Sequence, residues 1–389
     1  MTPTASANSE WSDLDGFHVP KHSKREINAV GEKLRGFLPY PYSDETVQIF
    51  RTVHELRLAH VEPMRRARRE LSTAARKLSE SGLTAGRLKR ISSIRNKLRR
   101  TPLTLYDIQD IGGCRAIMPD MDSVRALVGF YDGGSSRYQA ARHWRYIDEP
   151  KPSGYRSHHI TLHVRDEDGV SITTRRRIEV QLRTRLQHAW ATAVEAVGLV
   201  NDQDLKAGRG CPRWLRLFTL MSSVIAAEEG CPTVPGTPAD RAELLNELAE
   251  VEAHLGAIAN LHSYNEAIRL TNEYARMPGQ SFVVEYDNIN RSVRVRSNTQ
   301  FRLTAEASFV AETSQEYPQA VLIEVDRVGD LRAAYPNYFL DVQLFTDRMA
   351  AAVTEARRSR PGRHSVASEP GRKWGSLSWL RDNYGKSKD

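Results

Sequence analysis

Asp110 and Glu179 stand out in the first half of the chain because each lies in a segment rich in cations, the residue types that handle phosphates. In the stretch GRLKRISSIRNKLRR, residues 86–100, Arg87, Lys89, Arg95, Lys97, Arg99 and Arg100 crowd an expected helix and its approach, with Ile91, Ile94 and Leu98 as the buried stripe. Helical spacing brings Arg87 and Lys97 within reach of one polyanion; taken alone, the run also reads as a solvated or RNA-binding helix. In QDIGGCRAIM, residues 109–118, Asp110 opens a strand ahead of two glycines, and Arg115 sits inside an apolar run. One carboxylate there can hold Mg²⁺ with ligand phosphates completing the shell, and a salt bridge between Asp110 and Arg115 is the other reading. In YIDEPKPSGYRSHH, residues 146–159, Pro150, Pro152 and Gly154 shape a loop that presents Lys151, Tyr155, Arg156 and His159. Tyr155 suits a purine platform, with Lys151 and His159 as phosphate or hydroxyl contacts; an ordinary turn is the alternative. In RRRIEVQLRTRLQHAW, residues 175–190, a strand of period two puts Glu179, Gln181 and Arg183 on one face and Ile178, Val180 and Leu182 on the other.

These groups need a scaffold. Between about residues 86 and 198 the pattern alternates between helix and strand, which predicts an α+β or α/β domain with a mixed sheet. Ahead of it, a helix opens near Ser43 and runs toward Pro63, and a second, beginning with Arg65, Arg66, Arg68 and Arg69, continues to about Ser81. That basic run reads as a solvated face or a phosphate-contacting surface. Residues 1–42 read as a polar arm in which Trp11, Leu14 and Phe17 could dock, and residues 43–235 as the main domain with flanking helices. A Pro/Gly-rich stretch sets a boundary near Pro235. Beyond it, Leu244, Leu248, Val251, Leu255 and Ile258 form a helical stripe suited to a hairpin core or to homo-oligomerisation. Strands at 282–286, 293–296 and 321–325 and helices at 304–314 and 344–356 predict a small C-terminal α+β module over residues 236–356. Removal of this module is expected to leave a soluble first half. Residues 357–389 form a basic tail, where Trp374, Leu377, Trp379 and Leu380 suit a short docking helix.

Composition narrows the partners. The 389 residues carry 56 Lys plus Arg against 48 Asp plus Glu, and the net charge of +8 favours an anionic ligand. The longest uncharged apolar stretch, residues 217–227, falls short of the roughly 20 residues needed to cross a bilayer. No apolar run follows basic residues at the N-terminus, so the chain reads as cytoplasmic. The 3 cysteines, Cys114, Cys211 and Cys231, lack zinc-site spacing and read as reduced structural thiols.

In order and spacing, the four segments resemble the synthetase domain of the RelA/SpoT family, the enzymes that make the alarmones ppGpp and pppGpp. The likeness covers about residues 86–198, and the helices before it resemble those of small alarmone synthetases. The resemblance implies a nucleotidyltransferase-like mixed sheet flanked by helices and a Mg²⁺-dependent transfer of the β,γ-pyrophosphate of ATP to the ribose 3′-hydroxyl of GDP or GTP, as in the stringent response. By the same resemblance, Arg87 and Arg115 sandwich the adenine, and Lys89 and Lys97 hold the ATP phosphates. Asp110 and Glu179 organise the metal, and Glu179 takes the hydroxyl proton. Tyr155 stacks on the acceptor guanine, and Lys151, His159, Gln181 and Arg183 complete the acceptor pocket. Ser153 departs from the Asn of many members, and His188 and Glu195 match the usual His and acidic positions loosely. No His-Asp dipeptide occurs, so the resemblance implies a synthetase without its own alarmone hydrolase. Two other readings stay open: a tRNA 3′-end pyrophosphokinase of the toxic small-synthetase type, and a non-catalytic nucleotide- or RNA-binding module.

Overall fold

The computed structural model describes residues 22–165, 175–201, 203–267, 269–270, 280–287, 292–298, 300–313, 320–339 and 341–359. The arm and tail aromatics, Trp11, Phe17, Trp374 and Trp379, lie outside these residues. Helix α1, Lys24–Arg35, occupies part of the segment read from sequence as an arm. Its start is a capping box: the Ser23 N–H donates to the Glu26 carboxylate at 2.7 Å and the Glu26 N–H to the Ser23 hydroxyl at 3.2 Å. Helix α2, Asp44–Leu58, is capped by Ser43, and α3, Val61–Leu78, takes Pro63 in its first turn, where a missing N–H costs nothing. Strand β1, Leu83–Leu88, and helix α4, Ile91–Arg100, follow. Arg87 therefore belongs to a strand and not to the helical run expected of it.

The chain continues through β2 (Gly112–Met118), α5 (Met121–Asp132), β3 (Gln139–Arg145), β4 (His158–Arg165), β5 (Arg175–Thr184), α6 (Arg185–Val200), α7 (Pro212–Glu228), α8 (Arg241–Leu255) and α9 (Ala257–Ala267). Next come β6 (Arg269–Leu270), β7 (Ser281–Asp287), β8 (Ser292–Arg296), α10 (Phe301–Thr313), β9 (Val321–Val325), α11 (Asp330–Ala334) and α12 (Gln343–Ser359). Among the described residues the strands form one mixed sheet in the order β3-β4-β5-β2-β1-β9-β7-β8-β6. Pairing is antiparallel between β1 and β2, with Arg87 opposite Gly113, and parallel between β6 and β8. Helices flank the sheet, so the expected mixed α+β class holds.

Contacts divide the chain into two compact units, and the division does not follow a linear cut at Pro235. One unit comprises residues 1–143, 159–182 and 269–334, and the other residues 144–158, 183–268 and 335–389. Strands expected in a separate C-terminal module instead extend the first sheet. Every residue of β9 is buried, so both of its edges need partners, and it takes β1 on one side and β7 on the other. Pairing of Ala85 with Val325 is too distant in sequence to be read from local pattern. In the second unit, Leu244, Leu248 and Val251 of α8 join a core with Leu217 and Phe218 of α7 and Phe345 and Met349 of α12. Of the stripe considered as a dimer seam, Leu244, Leu248 and Val251 are thus buried within their own unit, and Leu255 and Ile258 pack partly buried against the same core.

Helix α3 meets the late strands through charge. Arg65 donates to both carboxylate oxygens of Glu324, at 3.0 and 2.9 Å, and Arg68 and Arg76 both donate to Asp326. A second tie runs from α10: the Glu312 carboxylate, 3% exposed, accepts from fully buried Arg57 at 2.5 Å and from the Ile91 backbone N–H of α4 at 2.9 Å. A cut at Pro235 would remove Glu312, Glu324 and Asp326 together and uncover the β1 edge, against the expectation of a soluble first half. Glu312→Ala is expected to lower the unfolding free energy by about 3–5 kcal/mol, the usual cost of stranding a buried charge. Urea unfolding measures it, and a loss under about 1 kcal/mol would mean that Arg57 gains little from its partner.

Candidate active site

All six of the expected donor and metal residues, Arg87, Lys89, Lys97, Asp110, Arg115 and Glu179, lie in the first unit, on β1, β2, β5, α4 and the loops beside them. Lys89 follows β1 and Lys97 lies on α4, and both reach Asp110, just ahead of β2: Lys89 Nζ donates to Oδ2 at 2.6 Å and Lys97 Nζ to Oδ1 at 2.9 Å. Asp110 thus pairs with these two lysines, where the alternative reading from sequence had given it Arg115 as its partner. Burial opposes the charge on Asp110, but the two ammonium groups outweigh it and hold the carboxyl well below its ordinary range. Burial also lowers the Lys89 ammonium, and Asp110 works against that shift.

Glu179 projects from β5 on the face opposite the core residues Ile178, Val180 and Leu182. His159 Nδ1 of β4 lies 3.2 Å from its Oε1, and Gln181 Nε2 donates to Oε2 at 2.6 Å. Burial raises the Glu179 carboxyl and the negative charge of Asp110 adds to that, but the His159 hydrogen bond and charge prevail, with help from Gln181, and bring it down to about 2. His159 and Gln181, expected at the acceptor, here position the carboxylate.

The two carboxylates sense each other and offer hard oxygen donors, the chemistry Mg²⁺ prefers. Each oxygen already accepts from a lysine, a histidine or an amide, and a second lone pair on each remains suited to a cation. The described residues hold no group of three or more His, Cys, Asp or Glu arranged for a metal, so a cation here would depend on ligand phosphates for the rest of its shell.

Arg87 and Arg115 occupy neighbouring strands, two residues apart in register, since Ala85 pairs with Arg115 and Arg87 with Gly113. The Arg115 guanidinium is buried and donates through Nη1 to the Ala334 carbonyl at the end of α11, 3.2 Å away. A base inserted against Arg115 would have to replace that acceptor.

Lys151, Tyr155 and Arg183 gather in the second unit. Arg183 Nη2 donates to the Tyr155 hydroxyl at 3.3 Å, while Lys151 Nζ stands 4.2 Å from the Tyr146 ring centre and 5.4 Å from that of Tyr155. The loop holding them is fixed by Gly154 and Arg156 of the loop itself and by Ser222, which sequence reasoning missed. Gly154 has φ +87°, and a Cβ there would lie 2.9 Å from Ser222 Cβ and 3.1 Å from the Trp190 ring, so no larger residue fits. Ser222 donates to the Gly154 carbonyl at 2.6 Å and accepts from Arg156 Nε at 3.0 Å; Arg156 Nη1 reaches the Ile147 carbonyl at 3.0 Å. Ser222 sits mid-helix on α7 with no local motif to betray it, whereas Gly154 within Pro-Ser-Gly-Tyr was a readable signal. Glu195, loosely matched to an acidic family position, accepts from Lys206 at 2.8 Å.

Residues 86–198 match the family described as "Region found in RelA / SpoT proteins". The chain is 32% identical over 110 residues to the GTP pyrophosphokinase YjbM of Bacillus subtilis (strain 168), a match that spans 28% of this chain and 51% of that relative, about half its length. Among solved structures it is similar to a GTP pyrophosphokinase family protein from Streptococcus pneumoniae, at 23% identity over 43% of this chain and 84% of that one, TM-score 0.37. It is also similar to small alarmone synthetase 1 from Bacillus subtilis bound to its product pppGpp, at 24% identity over 45% and 94%, TM-score 0.35. No described helix is long and apolar enough to cross a membrane.

The depressed Glu179 carboxyl sets an acid limit. With an ordinary value of 4.5 and a folded value of about 2, its ionised form contributes stability that is present above pH 4.5 and lost as pH falls toward 2. The stability advantage of the wild type over Glu179→Gln is therefore expected to shrink between pH 5 and pH 3 in urea unfolding. An advantage that grows on acidification would contradict the pairing with His159.

Proposed function

We propose that the chain is an ATP-dependent pyrophosphokinase that transfers the β,γ-pyrophosphate of ATP to the ribose 3′-hydroxyl of GDP or GTP. The observation that carries this reading is the buried cluster in which Asp110 is gripped by Lys89 and Lys97 while Glu179, beside it, is kept ionised by His159 and Gln181, all within the RelA/SpoT region. Lys89 and Lys97 bind the phosphates, exchanging their hold on Asp110 for phosphate oxygens as the nucleotide enters. Arg87 and Arg115 flank the adenine once Arg115 leaves the Ala334 carbonyl. Tyr155 carries the acceptor base, and Lys151 and Arg183 carry its phosphates.

In the reaction the 3′-oxygen bonds to the β-phosphorus, the bond between that phosphorus and the α,β-bridging oxygen breaks, and AMP leaves. The hydroxyl proton goes to Glu179. Phosphoryl transfers pass through loose transition states, so the proton leaves late, and an ionised, well-placed carboxylate serves even with a low pKa. Mg²⁺, held by Asp110 and Glu179, would supply charge neutralisation on the transferred phosphates. The substrates place this activity in the cytoplasm, as one source of alarmone in the stringent response.

Purified protein offered ATP labelled in its β-phosphate, with GDP, GTP, ADP or deacylated tRNA in separate reactions, tests the reading. Label is expected in a guanosine product with release of AMP; transfer to tRNA alone would replace the guanine acceptor. Glu179→Gln is expected to lower turnover at least about 10²-fold, the usual worth of a general base, and a variant keeping a tenth of wild-type turnover would remove that role. Tyr155→Ala is expected to weaken acceptor binding by about 1–3 kcal/mol, the range for a base on an aromatic platform, with ATP binding unchanged. Equal losses for both nucleotides would move Tyr155 off the acceptor.

A further inference from the structure

A small pocket of about 260 Å³ lies in the first unit, beside the end of β4 and the start of β5. Its polar walls are His60 at the corner between α2 and α3, Tyr106 and Asp107 of the loop ahead of β2, His163 of β4, and Arg176 and Arg177 of β5. The rest is leucine and isoleucine. Adjacent residues of a strand point to opposite faces, so a pocket that both arginines line lies at the strand's end and not over one face of the sheet. Lys89, Lys97, Asp110 and Glu179 are not among the walls, and the pocket is therefore separate from the candidate transfer site.

Two guanidinium groups and one carboxylate line this pocket. Arg177 is held in place: its Nη2 donates to the Tyr106 carbonyl at 2.6 Å and stands 3.7 Å from Asp107 Oδ1. Asp107 Oδ2 in turn accepts from the Thr104 hydroxyl at 2.7 Å. Arg176 lacks such a hold, since its Nε is buried and has no hydrogen-bond partner among the described residues. Apolar walls lower the local dielectric and strengthen the pull of both charges on an anion. His60 sets a further condition. A carbonyl only accepts, so the 2.8 Å contact between His60 Nδ1 and the Leu56 carbonyl fixes the ring proton on Nδ1. Burial and, next, the charge of Arg176 bring the ring down to about 3, and Arg177 adds to the effect. The imidazole is therefore neutral at pH 8, and its Nε2 is an acceptor. A ligand matched to these groups brings negative charge for the arginines and one proton for His60. Sulfate and carboxylates carry no proton at that pH, and a phosphomonoester, with a second pKa of about 6, has lost its own. Hydrogen phosphate keeps one. A nucleotide is too large, since pockets for small organic ligands usually run to ~300–1,000 Å³.

We propose that this pocket binds inorganic phosphate, as hydrogen phosphate whose oxygens accept from Arg176 and Arg177 and whose hydroxyl donates to His60 Nε2. Isothermal titration calorimetry of the full chain with inorganic phosphate at pH 8 tests it without reference to turnover. A non-hydrolysable ATP analogue, present throughout, keeps phosphate out of the candidate ATP site. Wild type is expected to bind phosphate, and Arg176→Gln to bind it at least tenfold more weakly. Arg177→Gln should weaken binding similarly, so the outcome does not rest on one variant, and circular dichroism checks that both are folded. Sulfate and glycerol phosphate, offered to the wild type in separate titrations, are expected to bind at least tenfold more weakly than inorganic phosphate. Absence of phosphate binding by the wild type would overturn the assignment, as would unchanged affinity in both variants. Sulfate or glycerol phosphate bound as tightly as inorganic phosphate would also overturn it, because His60 would then impose no condition on the ligand. Binding seen only when the analogue is left out would place the anion in the ATP site, which ends this proposal and leaves the transfer reading standing.

Discussion

A single buried carboxylate, Glu312, holds the first unit to its chemistry. It neutralises Arg57, which has no exposed surface, and it accepts the first backbone N–H of α4. That N–H is one of the donors a helix start leaves without an internal partner, and negative charge there also suits the helix dipole. Helix α4 carries Lys97, and Lys97 holds Asp110. The path from α10 to the candidate phosphate site is therefore two polar contacts joined by one helix. Around it, Ile94 and Leu98 of α4 pack with Phe50 and Val53 of α2, Ile27 and Leu34 of α1, and Phe309 of α10. A residue far along the chain thus caps the helix that carries a lysine of the candidate site.

Much of the site was legible in the residues alone, because its signals are local. Alternation in Arg-Ile-Glu-Val-Gln-Leu-Arg gave β5 its two faces, and prolines with Gly154 marked the loop before Tyr155. Strand pairing was not legible. The segment from Leu83 to Leu88 has one strong alternating signal at most, and its place in the sheet comes from β2 and β9. Arg87 accordingly read as part of the basic helix that begins a few residues later. Helix α1 escaped notice because Ile27 and Leu34 are its only large buried residues, and its cap, Ser23 with Glu26, was the available cue.

The division into units was hidden for the same reason. A Pro/Gly-rich stretch near Pro235 looks like a linker by composition, yet α8 beyond it packs with α7 before it. The later strands return to the first sheet through Glu324 and Asp326, whose partners Arg65 and Arg68 had read as a solvated run. Composition reports where a chain bends, and long-range charge pairs report where it comes back. Arg66 and Arg69 of the same run meet Glu62 of their own helix.

Pairing of β1 with β9 also has a meaning in time. On a ribosome adding about 5–20 residues per second, β9 emerges roughly 230 residues after β1, a delay of about 10–50 s. Throughout that interval one edge of β1 has no partner from its own chain, and Arg57, Arg65 and Arg68 have not yet met their carboxylates. The nascent first unit must remain unfinished until the late segment arrives, so the sheet that carries the candidate site closes only once β9 has been made.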